Sequence, residues 1–85
     1  MALKLLYFAW VRQRVGKAEE EIDPPAGVAT VGDLIAWLKT RGPGYAAALA
    51  QAGVVKVAVN QEFAGPSRRL AAGDEVALFP PVTGG

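Results

Sequence analysis

The sequence contains no cysteine and no histidine. The first absence excludes disulfides, thiolate metal sites of the zinc-ribbon type and a cysteine nucleophile. The second removes the commonest general base near neutral pH and the commonest metal ligand. An excess of one charge is also missing. Nine Lys and Arg against eight Asp and Glu leave a net charge of +1, too little to imply a field for nucleic acid. The longest apolar run is too short to span a bilayer. The opening "MALKLLYFAW" has one lysine and a short apolar stretch, with no signal-type cleavage pattern behind it. The expectation is a cytoplasmic protein without nucleic-acid or membrane partners.

What is present is a hydrophobic majority. Residues of apolar type make up 52% of 85 positions, enough for one small domain with a single modest core. Leu3 to Ala9 alternates with period two and reads as a strand, Leu3, Leu5 and Tyr7 on one face and Lys4, Leu6 and Phe8 on the other. Trp10 to Gly16 reads as a connection with a helical turn, and Lys17 to Ile22 as a second, half-exposed strand. Asp23-Pro24-Pro25 stops it, because proline has no N–H for a ladder.

In "TVGDLIAWLKTRG", Thr30 and Asp33 fit a capping box, and Val31, Leu34, Ile35 and Leu38 share a helical face. Gly42-Pro43-Gly44 is expected to end that helix, and "YAAALAQAG" to form a second, short one. "VVKVAVN" reads as a strand with Val55, Val57 and Val59 on one face. Asn60-Gln61 is a turn, residues 62–64 are a short extended piece, and "PSRRLAAGD" is a loop. "EVALF" is the last strand, with Val76 and Leu78 inward and Glu75, Ala77 and Phe79 outward. One amphipathic helix across a small mixed sheet is an α+β roll.

After Phe79 the chain changes character. Pro80 and Pro81 have fixed φ and no donors, so they end the sheet and stiffen the exit. Residues that precede proline are pushed towards extended conformations. The chain therefore divides into a body, residues 1–79, and a projecting tail, residues 80–85, that reaches up to roughly 20 Å at about 3.3 Å per residue. Val82 and Thr83 offer some side-chain recognition. Gly84 and Gly85 offer none, and let a narrow tunnel close on the backbone. A tail of that design delivers the Gly85 carboxylate to a partner's active site. Adenylation would turn the carboxylate oxygen into a leaving group, and a sulfur donor or an amine could then replace AMP. The chain lacks a Cys or His nucleophile and a phosphate loop of the P-loop kind, so it would be the carried substrate.

The ending "DEVALFPPVTGG" resembles the small, sulfur-carrying subunit of molybdopterin synthase. "LLYFAWVRQRVG", "TVGDLIAWL" and "VAVNQEF" resemble the same family in the same order. The resemblance implies a ubiquitin-like β-grasp fold. It implies that an adenylyltransferase similar to the ubiquitin-activating enzymes uses ATP to activate Gly85. A sulfur donor enzyme then helps make a thiocarboxylate there. The tail, residues Pro80, Pro81, Val82, Thr83, Gly84 and Gly85, enters the large catalytic subunit and gives sulfur to cyclic pyranopterin monophosphate. The family assembly is a heterotetramer, and this chain would bind no cofactor or metal itself.

Phe8, Phe63 and Phe79 are the expected docking residues, since exposed aromatics beside a reactive tail mark an interface. Arg12, next to the Phe8 strand, is the one basic residue set beside them. Arg14, Lys17, Arg68 and Arg69 read as solvated charge, Trp10 and Trp37 as partial core, and "EEE" at 19–21 as an exposed edge that resists aggregation. Asp74-Glu75 and Glu62 lack partners for an acid/base or metal site. Competing readings are a carrier for thiamine or thiolated tRNA, a protein modifier, a docking module that uses its sheet edge, and a small enzyme. Thiamine-type carriers generally lack the Phe-Pro-Pro stretch, and the missing Cys and His argue against an enzyme.

Overall fold

The computed structural model describes residues 1–50 and 54–81. Five strands form one mixed sheet: β1 (Leu3–Tyr7), β2 (Glu19–Ile22), β3 (Lys56–Val59), β4 (Glu62–Phe63) and β5 (Glu75–Phe79). Their spatial order is β2-β1-β5-β3-β4. The first and last strands pair in parallel at the centre, Tyr7 opposite Leu78, and every other pairing is antiparallel. Helices α1 (Ala9–Val15), α2 (Val31–Leu38) and α3 (Pro43–Ala48) complete the fold. With α2 as the main helix across the sheet, this is the β-grasp arrangement.

The alternation of apolar residues decides which face is covered. Leu3, Leu5, Val59, Val76 and Leu78 are buried from the sheet side, and Val31, Leu34 and Leu38 from α2. At about 25 cal/mol per Å² of apolar surface, each such side chain contributes roughly 1.5–3 kcal/mol. The capping box forms as expected: the Asp33 N–H donates to Thr30 Oγ1 at 3.2 Å, and Asp33 Oδ2 accepts from the Thr30 N–H at 3.1 Å. The loop before β5 finishes this helix start. Its Arg68 and Pro66 carbonyls accept the Val31 and Gly32 N–H groups, both at 2.9 Å, donors a helix cannot satisfy itself.

Three expectations need correction. The first strand ends at Tyr7, not Ala9. Ala9 takes a left-handed φ of 53° and turns the chain directly into α1. That segment is a full helix where a connection with one turn was expected, and only Val11 in it is fully buried, too little apolar periodicity to reveal it. Gly16 ends it at φ 91°, with its N–H on the Arg12 carbonyl. The Gly42-Pro43-Gly44 stretch does not end α2, which stops at Leu38. It starts α3, with Gly42 as N-cap and Pro43 in the first turn, where proline's missing donor costs nothing. Gly44 is the contact point between α3 and α1: a Cβ there would collide with the Arg14 carbonyl oxygen.

Candidate functional site

Covering one face of the sheet leaves the other open. Its outward positions follow from register. Leu6 lies opposite Ala77, Ala77 opposite Ala58, and Ala58 opposite Phe63. One rung further, the Phe8 N–H donates to the Leu78 carbonyl at 3.1 Å, which places Phe8 beside Phe79. The two alanines are low ground between larger side chains. Phe63 leans across it until its ring centroid is 5.9 Å from that of Phe79, tilted by 54°, within the range of favourable aromatic pairs.

The three expected aromatics therefore lie on one face, along the end of β5 from which the tail departs. Phe63 is 83% exposed and Phe8 47%, and Phe79 is half-buried. Grouped exposed aromatic rings are the kind of surface through which proteins bind partners. Pro80 is half-buried and Pro81 exposed, so the stem of the tail begins at the edge of the patch. The expectations for Val82, Thr83, Gly84 and Gly85 lie outside the described residues. Arg12 is exposed one helical turn beyond Phe8, its N–H on the Phe8 carbonyl at 3.3 Å, and among the described residues its guanidinium is in no ion pair.

Arg14, Arg41 and Asp74 have structural partners. The Arg14 guanidinium sits 4.6 Å from the Trp10 ring centre and Arg41 5.2 Å from that of Trp37. Both tryptophans are half-buried against the core, as expected. Asp74 accepts from the Ala71 N–H at 2.8 Å and from Asn60 Nδ2 at 2.9 Å. These bonds hold its carboxyl below the usual range and make it a clamp for the loop, not an acid/base group. Among the described residues no group of acidic side chains could hold a metal ion.

The exposed-edge reading of "EEE" fails at its middle residue. Ile22 faces the core, so alternation turns Glu20 the same way, towards Tyr7 on the next strand. Glu20 Oε2 accepts from the hydroxyls of Tyr7 at 2.7 Å and Tyr45 at 2.6 Å. Its Oε1 accepts from Arg41 Nη1 at 3.0 Å and Lys17 Nζ at 3.4 Å. Partial burial pushes the carboxyl up, but the bonds from Tyr45, Tyr7 and Arg41 outweigh it and bring it down to about 2. Burial first, then the bond to Glu20, pushes the Tyr7 hydroxyl up. This cluster ties β1, β2 and α3 together. It has no opening towards the patch and serves the fold. The only signal in the sequence is the strand alternation that sets Glu20 on the same face as Ile22.

The chain is similar to known sulfur carrier subunits and small archaeal modifier proteins. The ThiS family model matches residues 5–85. The molybdopterin synthase sulfur carrier subunit of Escherichia coli K12 is 41% identical over 83 residues, with 98% of this chain and 99% of the relative covered. The small archaeal modifier protein 3 of Haloferax volcanii is 36% identical over 95 residues, with both chains fully covered. Among solved structures, SAMP1 from Haloferax volcanii superposes with a TM-score of 0.79 at 32% identity over the full length of both chains.

Proposed function

The chain belongs to the ThiS family, and on that premise we propose that it is a sulfur carrier in molybdopterin synthesis. It works in the cytoplasm and is passed between two partners. An adenylyltransferase joins the Gly85 carboxylate to AMP from ATP, releasing pyrophosphate. Sulfide supplied by a donor enzyme then attacks the acyl carbon as HS⁻, AMP leaves, a proton is lost, and a thiocarboxylate remains. In the large catalytic subunit of molybdopterin synthase, this sulfur is transferred to cyclic pyranopterin monophosphate. The carrier's part is docking and presentation.

The observation that carries this reading is the position of the Phe79-Pro80-Pro81 stem. It leaves the central strand beside three aromatics on an otherwise open sheet face. A partner that grips Phe8, Phe63 and Phe79 holds the tail's origin at a fixed place, with Arg12 at the margin to meet an acidic group. Such apolar anchors dominate binding energy, and rim charges set orientation.

The test is intact-mass analysis after incubation with ATP, the adenylyltransferase and a sulfur donor. The expected product is heavier by one sulfur less one oxygen, and a chain without Gly85 shows no such gain. An unmodified chain with a competent activating enzyme would refute the proposal. A second reading, protein modification, is favoured by the similarity to small archaeal modifier protein 3. There a lysine amine of a target would attack the activated Gly85, leaving an isopeptide. Mass analysis of protein conjugates against pterin sulfuration separates the two.

A further inference from the structure

The open sheet face carries charge as well as aromatics, and register sorts the charge into two ends. At the end away from the tail, Glu21 lies opposite Lys4 and Lys4 opposite Glu75. Glu19, at the β2 margin of the next row, lies opposite Leu6 and brings its Oε2 to 3.9 Å from Lys4 Nζ. Residues directly opposite on paired strands share a face, so three carboxylates surround one ammonium here. At the tail end, Lys56 lies opposite Phe79 and Arg12 stands beyond Phe8. The two cations therefore flank the Phe8 and Phe79 rings, and among the described residues neither is in an ion pair. Leu6, Ala77, Ala58 and Phe63 form the apolar row between the ends.

The whole chain has a net charge of only +1, so this polarity is a matter of arrangement and not of excess. Glu75 and Phe79 are four residues apart on β5, which separates the ends by about 13 Å at about 3.3 Å per residue. The Debye length at physiological salt is about 8 Å. The ends do not cancel through solvent, and each presents its own sign locally. Single exposed charges add little affinity. A pattern of them sets encounter rate and orientation.

We infer that the open face is read by its polarity as well as by its rings. The protein surface that fits it has an apolar hollow for Phe8, Phe63 and Phe79 and an acidic group facing Lys56 and Arg12. It also has basic groups, roughly 13 Å away, facing Glu19, Glu21 and Glu75. This rests on the docking role proposed above, and gives the chemistry of the contact surface on the large catalytic subunit. Ring contacts alone tolerate rotation about the patch. A partner rotated by half a turn sets like charges against each other at both ends, so one orientation is kept. Orientation matters to a carrier because the stem leaves from one end of the face. Half a turn would aim Pro80 and Pro81 away from the partner's active site.

The test is stopped-flow association of the full chain with the large catalytic subunit at low and high salt. The double variant Glu19→Lys, Glu21→Lys is expected to associate roughly tenfold more slowly at about 0.01 M salt, and Lys56→Glu likewise. Both gaps close at about 1 M salt, where the Debye length is about 3 Å. The neutral pair Glu19→Gln, Glu21→Gln, which sets no lysine against Lys4, falls between parent and reversal. Lys39→Glu makes the same change of net charge as Lys56→Glu but at the end of α2, and keeps the parental rate. Parental or faster association of the acidic-end variants, a gap that persists at high salt, or equal slowing by Lys39→Glu would each overturn the inference. A parent chain that does not bind the large subunit overturns the docking reading with it. Parental rates in the variants remove the polarity alone and leave the mass assay at Gly85 untouched.

Discussion

Replacing Glu20 with glutamine separates the charge of the Glu20 cluster from its shape. The glutamate oxygens receive four donors: two tyrosine hydroxyls, Arg41 and Lys17. Glutamine has one acceptor oxygen and an NH2 that only donates. Arg41 and Lys17 cannot accept, so the amide oxygen must turn to them. The NH2 then faces the hydroxyls, which can rotate to accept. The shape survives, and the loss is the strengthening that a charge gives to its bonds, about 1–2 kcal/mol in all. For a domain of this length each kcal/mol lowers Tm by about 4–8 °C. The pH dependence is the sharper reading. The Glu20 carboxyl falls from an ordinary value of 4.5 to about 2 in the fold. A depressed acid stabilises above its unfolded value and loses that contribution as pH falls towards the folded one. Between pH 7 and pH 3 the loss is roughly 2 kcal/mol if the full shift acts, and about half that after allowance for solvent screening. The glutamine variant has no such contribution. Its deficit against the parent, measured by urea unfolding, therefore narrows as pH falls from 7 to 3. A deficit that stays constant over that window would refute the argument, since only a titrating partner can close it.

Ala9 holds a left-handed backbone without a glycine. Ala9→Gly is expected to stabilise by roughly 0.5–1 kcal/mol and to raise Tm, in contrast to the usual cost of glycine in a helix. A fall in Tm would contradict the strained turn. Gly44→Ala places a methyl group against the Arg14 carbonyl oxygen and should destabilise by roughly 2–3 kcal/mol, read as a drop in Tm with unchanged far-UV dichroism below it. Phe79→Ala should leave the fold largely intact, at some cost in Tm from the lost ring pair with Phe63, and weaken binding to the large synthase subunit roughly 30-fold or more, measured by calorimetric titration. Equal affinity would remove Phe79 from the docking surface.

The elements with strong periodicity were legible in the sequence. Val31, Leu34 and Leu38 mark α2, Thr30 and Asp33 mark its start, and the period-two runs mark β1, β3 and β5. The aromatic patch was legible for the same reason, since alternation assigns Phe8 and Phe79 to the face away from Leu5 and Leu78. Helix α1 was not, because it has one fully buried residue and begins at an alanine in a conformation that composition does not announce. The role of Gly42-Pro43 depended on direction. Glycine and proline punctuate both ends of helices, and only packing against α1 decides that they open α3. Glu20 was misread because three consecutive glutamates look like one solvated run. A strand divides them between two faces, and the partners of Glu20 come from positions as distant as Tyr45.

The parallel pairing of β1 with β5 has a consequence for synthesis. The last of the five described strands to be synthesised inserts between β1 and β3, the two strands that flank it in the finished sheet. Until Glu75–Phe79 has emerged, the sheet is split into two separate pieces. Phe8 and Phe63 then belong to different pieces and share no common face. The segment that leads into residues 80–85 is thus also the segment that joins the two halves of the aromatic face. A chain that ends before Glu75 therefore lacks both the tail and the joined aromatic face, whereas one clipped within residues 80–85 keeps the face and loses only the tail.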